Sequence, residues 1–280
     1  MYSPVEAFTT CVGYSDFLSW SLLFNRPQFD NLVVLTTPQD LKTQEVCSFH
    51  HVQCYATEAF FAEGQTFGKS QAIDEFLKSD VLSKSGWLVH FDSDIVLPPR
   101  SMNHIRKELI ETDCIYGIDR VSAIGFDKWA DYVSDPKVFY EQEVWLRLDR
   151  FPIMPRVYKD GYYVPIGFFQ AWYAPNSENS YPTVHQNAAR ADMLFAMRWG
   201  GQKRKLIANA VGIHLESEHG NLGVNWNGRK TPPFKSRVIP EQGGESVLEL
   251  WEQGGESVLG VWEQLEKALE EFKDIWFSNY

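Results

Sequence analysis

The sequence predicts an α/β domain built on a mostly parallel sheet flanked by helices. Its first half alternates short runs rich in β-branched and aromatic residues with stretches of helical periodicity, the pattern of strands joined by crossover helices. One run, "WLVHFDSDIVLPP" at 87–99, halts on Asp92 and Asp94. Open α/β sheets gather ligands beyond the carboxyl ends of their strands, so acids at such an end mark a candidate site. A chain of 280 residues, 44% of them hydrophobic, can hold one large domain or two small ones.

Taken in order, "EAFTTCVGY" reads as a strand and "SDFLSWSLLFN" as a helix opened by Ser15 or Asp16. "NLVVLTT" is a second strand, followed by a helix near "PQDLKTQEVCSF" and a third strand in "QCYATEAF". "FGKSQAIDEFLKSDVL" carries Ile73, Phe76 and Leu77 at helical spacing. After the strand "GWLVHFDSDIVL" at 86–97, "PPRSMNHIRKELIE" opens with prolines suited to the first turn of a helix. "CIYGIDRVSAIG" is another strand, and "DKWADYVSDPKVFYEQEVWLRLD" is mostly helical with a break at Pro136. "GYYVPIGFFQAWYA" suggests an aromatic hairpin or strand pair, "AARADMLFAMRW" a helix, and "KLIANAVGIHLES" a return to the sheet. The tail repeats itself: "EQGGESVLELW" at 241–251 precedes "EQGGESVLGVW" at 252–262. Eleven residues is close to three helical turns, so Val247/Val258, Leu248/Leu259 and Trp251/Trp262 share a face if the tail is helical, although the Gly-Gly pairs oppose a continuous helix.

No apolar run approaches the ~20 residues of a membrane span, and the start "MYSPVEAFTTCVGY" lacks the basic flank and apolar centre of a secretion signal. A cytoplasmic protein is expected, in the host cytoplasm if the source is viral. Cys11, Cys47, Cys54 and Cys114 show no CxxC spacing, which suggests reduced thiols rather than a zinc knuckle or a disulfide framework. The net charge of −11 conceals a segregation: residues 198–237 carry eight Lys/Arg against Glu216 and Glu218, whereas 241–274 carry ten acids against Lys267 and Lys273. The first stretch could attract phosphates that the whole chain would repel, or could simply be a solvated surface.

In extended chain, residues i and i+2 point to the same side, so Asp92 and Asp94 can converge on one hard divalent cation. Spacing alone is weak evidence, since D-x-D is common by chance; its position after "WLVHF" strengthens it. "HFDSDIVLPP" resembles the metal-binding D-x-D region of GT-A glycosyltransferases, family-2-like and of bacterial or bacteriophage type. Other segments follow in the order of that fold: "FTTCVGYSDFLSWSLLFN", "NLVVLTTPQD", "FGKSQAIDEFL", "GFFQAWYA", "RADMLFAMRW" and "GIHLES". The resemblance implies a GT-A, Rossmann-like mixed sheet over about 1–237, with a nucleotide-sugar half at about 1–125, an acceptor half at about 126–237, and a repeat-containing helical tail at 238–280.

The same resemblance implies a Mn²⁺ or Mg²⁺ ion held by Asp92, Asp94 and His214, with Ser93 beside the donor and a UDP-sugar as the expected donor. Imidazole among oxygen ligands tilts the choice toward Mn²⁺. His214 could equally be a satisfied structural histidine, and His219 competes with it as a ligand. Asp192 corresponds to the catalytic acid position, where relatives carry Glu-Asp and this chain has Ala191 before a single acid; as base it would imply inversion. A helix N-terminal aspartate favoured by the macrodipole is the alternative. Donor contacts are expected from Thr36, Thr37, Asp40 and Lys69, and from a loop carrying Asn225, Trp226 and Arg229; Asp40 could instead cap a helix. Gln170, Trp172 and Tyr173 are expected along the acceptor, although alternate aromatics of a strand must face the core.

The acceptor stays open between a saccharide or lipid-linked hydroxyl and a hydroxymethylated pyrimidine in phage-type DNA, which the basic stretch would suit. A phosphoryl- or nucleotidyl-transferase also uses paired carboxylates but generally needs a third or fourth acid close by for two metals, and none lies between Asp94 and Glu108. A non-catalytic sugar-binding module would explain the aromatic residues but not the acid pair.

Overall fold

A computed structural model describes residues 3–133, 151–217 and 225–234. The tail at 238–280, its repeat, His219 and the break at Pro136 lie outside the described residues.

Eight strands form one sheet, in the order β3-β2-β1-β4-β9-β6-β10-β5. β1 (Val5–Thr10), β2 (Asn31–Thr36), β3 (Gln53–Ala56) and β4 (Trp87–Asp92) run parallel, with helices α1 (Ser15–Asn25), α2 (Leu41–Phe49) and α3 (Lys69–Lys78) between them. The order reverses at β1, which has β2 on one side and β4 on the other, and this is where an open α/β sheet leaves a crevice. β5 (Ile95–Val96) and α4 (Ser101–Glu108) follow, then β6 (Ile115–Ile124) and α5 (Phe126–Val133). β7 (Tyr158–Lys159) and β8 (Tyr162–Tyr163) make a small separate hairpin. β9 (Phe169–Tyr173) enters the main sheet antiparallel to both β4 and β6, α6 spans Ala191–Ala196, and β10 (Arg204–Glu216) runs parallel to β6 and antiparallel to β5.

This is the mixed, mostly parallel sheet flanked by helices that the sequence implies, with two local differences. The aromatic segment at 161–174 is not a hairpin of its own: Tyr162–Tyr163 pairs back to Tyr158–Lys159, and Phe169–Tyr173 inserts between β4 and β6. Pro98 and Pro99 precede α4 instead of filling its first turn, because Arg100 adopts a left-handed conformation at its N-cap.

Side chains of β1, β2 and β4 are buried on both faces, so these runs are largely apolar, whereas β3 at the edge is more exposed. Val5, Ala7, Leu32 and Val34 pack with Leu18 and Leu22 of α1 and Val46 of α2, while Phe8, Val33 and Leu35 pack with Ile73, Phe76 and Leu77 of α3. A third cluster joins Phe17 of α1 to Trp129 and Tyr132 of α5, Leu215 of β10 and Phe234.

Polar side chains at the end of α1 fix the segment that follows the acid pair. Asn25, fully buried, donates from Nδ2 to the Ile95 carbonyl at 2.8 Å and accepts from the Leu97 amide at 2.8 Å. Gln28 donates to the carbonyls of Leu97 and Pro98 at 3.0 and 3.2 Å and accepts from the Met102 amide. Removing the Asn25 amide orphans two buried backbone groups, each costing about 1–3 kcal/mol. Asn25→Ala is therefore expected to lower the unfolding free energy by about 2–4 kcal/mol in a denaturant titration, and a loss below ~0.5 kcal/mol would show that the clamp is not holding β5.

Candidate active site

The carboxyl ends of β1 and β4, the start of β9, the N-terminus of α6 and the end of β10 surround a cavity of about 380 Å³, within the usual range for small-molecule sites. Lys69, Asp92, Ser93, Asp94, Asp192, His214, Asn225, Trp226 and Arg229 line it, so most of the expected site residues do meet in space.

Asp94 is placed by its backbone as well as by its strand. Its carbonyl accepts from the Leu215 amide at 2.8 Å, and β5 pairs Ile95 with His214. Asp94 Oδ2 thereby lies 3.3 Å from His214 Nε2, while His214 Nδ1 lies 2.9 Å from Glu216 Oε1. Burial alone would lower the pKa of His214, but the Asp94 and Glu216 carboxylates outweigh it and push it up to about 9. The other Asp94 oxygen, Oδ1, is buried without a hydrogen-bond partner, which in a native interior asks for an explanation. A divalent cation fits: hard oxygen donors, an imidazole nitrogen, and a carboxylate behind that imidazole as ligating histidines usually have.

Asp92 lines the same cavity, but Ser93 and Asp94 form a turn instead of the extended chain that would bring both acids to one side, and one oxygen of Asp92 is held by the Lys69 ammonium in an ion pair. Burial would lower the pKa of Lys69, but Asp92, Asp192 and Asp94 outweigh it and the net shift is upward, so Lys69 stays charged. Across the cavity, Asp192 is the second residue of α6 and its Oδ2 accepts from the Gly167 amide at 2.6 Å. That approach favours a glycine, because a Cβ at 167 would sit 3.0 Å from the Asp192 side chain and push it aside. Desolvation raises the Asp192 pKa, opposed by the Gly167 amide and the Lys69 charge, with a net upward shift.

Several expected residues serve other ends. Thr36, Thr37 and Asp40 do not line the cavity: Asp40 caps α2, accepting from the Thr43 amide and hydroxyl at 3.1 and 2.7 Å, and holds the Gly13 amide at 2.6 Å. Their place at the rim is taken by Thr10, Val12 and Tyr14 at the end of β1. Arg229 is a clamp: it grips both oxygens of Asp16, at 2.6 and 2.7 Å, and lies over the ring of Tyr14, so α1 and the 225–234 segment are pinned together. Asn225 is likewise structural, its Oδ1 accepting the amides of Lys230 and Thr231, whereas Trp226 is half exposed at the cavity.

On the acceptor side, Trp172 is fully buried between Phe8 and Phe195, and Tyr173 lies opposite Trp87, at the far end of β4 from Asp92. Neither forms a wall of the cavity. Gln170 is buried behind it, donating to the carbonyls of Pro165 and Asp192 at 2.9 Å each. The wall is built instead from Val157, Ile166, Phe168 and Arg190, with Arg120 from β6. Sequence reading missed Glu216 and Arg120. Glu216 had a signal, since it follows His214 by two residues and so shares its strand face; Arg120 had one too, as a cation inside the strand run "IYGIDRVSAI".

Among the described residues, the group of three ligand-type side chains whose donor atoms all lie within 4.8 Å of one another is Glu111, Asp113 and Cys114, just before β6; the donor atoms of Asp92, Asp94 and His214 are not gathered so closely. Lys205 and Lys203 already pair with its two acids, and burial pushes the Cys114 thiol up to about 11, so it lacks the character of a metal centre. The four cysteines are free. Among the described residues, no helix is long and apolar enough to cross a membrane.

No protein-family model and no curated protein sequence matches the chain. Among solved structures it is similar to glucosyl-3-phosphoglycerate synthase from Mycobacterium tuberculosis, at 14% identity and a TM-score of 0.46 over 79% of this chain and 74% of that one. A structure of that enzyme with Mn²⁺, UDP-glucose and phosphoglyceric acid matches at 15% identity and a TM-score of 0.45, over 76% and 71% of the two chains. At such identities and scores, the function of this chain is read from its own residues.

The carboxylate behind His214 generates a prediction. Loss of such an outer partner typically costs 10–100-fold in metal affinity. Glu216→Gln should weaken Mn²⁺ binding by about that factor in a calorimetric titration, and unchanged affinity would remove His214 from the ligand set.

Proposed function

We propose that this chain is a metal-dependent glycosyltransferase that moves a sugar from a UDP-sugar to a hydroxyl acceptor. The observation that carries the proposal is the buried, unpartnered Asp94 Oδ1 beside a histidine braced by Glu216, opening on a cavity whose opposite wall presents Asp192. Bound Mn²⁺ or Mg²⁺ supplies Lewis-acid stabilisation of charge developing on the departing diphosphate. Asp94, His214 and Asp92 would hold it, and Lys69 adds a fixed positive charge on the same wall. Asp192, oriented by the Gly167 amide, receives the proton of the acceptor hydroxyl as that oxygen attacks the anomeric carbon. A single displacement of this kind inverts the configuration at that carbon.

A DNA acceptor finds little support in the disposition of the basic stretch. Lys203, Lys205 and Arg229 pair with Asp113, Glu111 and Asp16, Arg204 is buried, and Arg198 is bonded to Ser180. Five of the six described cations of the stretch are thus paired, bonded or buried, so a phosphate backbone gains less from them than their number suggests.

The test is incubation with Mn²⁺ and UDP-glucose, read as a thermal shift and as product release. Ligand that binds only the native state should raise the melting temperature, and UDP should accumulate. Release of UMP and glucose 1-phosphate would sink the reading in favour of phosphoryl transfer. Asp94→Asn should abolish Mn²⁺-dependent binding of the donor, whereas a sugar-binding module would bind as before.

Asp192 must be ionised to act, and its raised pKa moves the acid limb of the kcat/KM profile above the range of an ordinary carboxylate. Activity should therefore fall, as pH is lowered, earlier than an exposed aspartate would dictate. Asp192→Asn should lower kcat by about 10²–10⁴-fold and erase that limb while leaving UDP binding intact. NMR of the product should show the inverted anomer; retention would remove Asp192 from this role.

A further inference from the structure

The mechanism above leaves one buried cation without a task. Arg120, in the middle of β6, is only 9% exposed and lines the cavity. Its Nε is buried without a hydrogen-bond partner, and among the described residues its guanidinium forms no ion pair; its close neighbour is the ring of Phe168, 4.9 Å from Cζ to the centroid. The neighbouring arginines differ. Arg229 grips Asp16, and Arg156 grips Asp119 with two bonds of 2.7 and 2.8 Å; Arg204 is buried with an unpartnered Nε too, against Met197 and the Tyr162 ring, but it does not line the cavity. A desolvated charge with nothing opposite it is costly, so a fold that keeps one at the wall of a cavity is provisioned for an anion from outside.

The position of Arg120 says which anion. In the β6–β10 register Arg120 faces Gly212 and Ser122 faces His214, so the Arg120 and His214 side chains emerge on one face of the sheet. On its other side Arg120 packs on Phe168, the residue after Gly167, whose amide holds Asp192. The guanidinium thus shares a face of the sheet with the candidate metal ligand and packs on the segment that holds the candidate base. The leaving diphosphate already has a cation in Lys69, which meets Asp92 where α3 begins and β4 ends.

We propose that Arg120 receives an acidic group carried by the acceptor, a carboxylate or phosphate monoester, so that the enzyme glycosylates a small anionic hydroxy compound. This inference rests on the glycosyltransferase reading and deepens it. A planar guanidinium accepts two oxygens of such a group at once, and fixing it there turns a nearby hydroxyl of the same molecule toward Asp192. The apolar side chains of Val157, Ile166 and Phe168 exclude water from the contact and strengthen it.

The experiment is a calorimetric titration of inorganic phosphate into the full chain saturated with Mg²⁺ and UDP. Phosphate should bind while UDP remains bound, and Arg120→Gln should weaken phosphate at least about tenfold, with UDP·Mg²⁺ affinity within about twofold of the wild type. Arg120→Lys, which keeps the charge but loses the fork, should fall between the two. Phosphate that displaces UDP would assign Arg120 to the donor and overturn the inference, as would phosphate that fails to bind or binds Arg120→Gln as well as it binds the wild type. Should Arg120→Gln fail to fold, the wild-type competition and Arg120→Lys decide the question. Failure of the wild type to bind UDP·Mg²⁺ would bring down the glycosyltransferase reading and this inference with it, whereas failure with phosphate alone leaves that reading standing.

Discussion

The short antiparallel contact between β5 and β10 is the constraint on which the site depends. Only two residue pairs make it, Ile213 with Val96 and His214 with Ile95, extended by the bond from the Leu215 amide to the Asp94 carbonyl. Two pairs cannot hold a strand by themselves. Asn25 and Gln28 supply the rest by pairing with the backbone of 95–98 from the opposite side, as a neighbouring strand would. Acids that leave the parallel half of the sheet are carried in this way across to a histidine 120 positions later in the chain.

The electrostatics of the cavity follow from that convergence. Asp92, Asp94, Asp192 and Glu216 would repel one another strongly in a partly desolvated space. Lys69 neutralises part of the charge, and His214, protonated up to about pH 9 between its two carboxylates, neutralises more. A divalent cation at Asp94 would take over the role of the proton on His214. The charged groups also come from separate parts of the chain: Lys69 and Asp92 belong to α3 and β4, whereas Arg120 and the Gly167–Asp192 contact belong to later elements.

Much of the fold was legible because local chemistry dictates it. α1 covers the residues read from the sequence, and the acids of "HFDSD" do sit where a strand ends. The site was legible only in part, because long-range pairing decides which polar groups are free. Asp40 and Arg229 have the composition of ligand-binding residues, yet one caps a helix and the other meets an acid 213 positions away. Trp172 and Tyr173 were ambiguous for a different reason. Strand alternation says that one of two neighbours faces inward, but only the insertion of β9 between β4 and β6 says which end of the sheet either occupies.

β10 shows how much a local irregularity can decide. Leu206 pairs with Gly117 but Val211 pairs with Asp119, so five steps along β10 pass against two along β6. The surplus is odd, and a strand shifted by an odd number of residues turns its other face to a given side of the sheet. Without it, Val211 rather than His214 would stand opposite Ser122, and the alternation would put Ile213 and Leu215 toward the cavity. The extra length is taken up around Asn209, whose φ of +63° lies in the left-handed region that asparagine tolerates better than most residues. The bulge therefore places the imidazole, its supporting Glu216 and the neighbour of Arg120 on one side, and sends the apolar residues of the same strand into the core around Trp129.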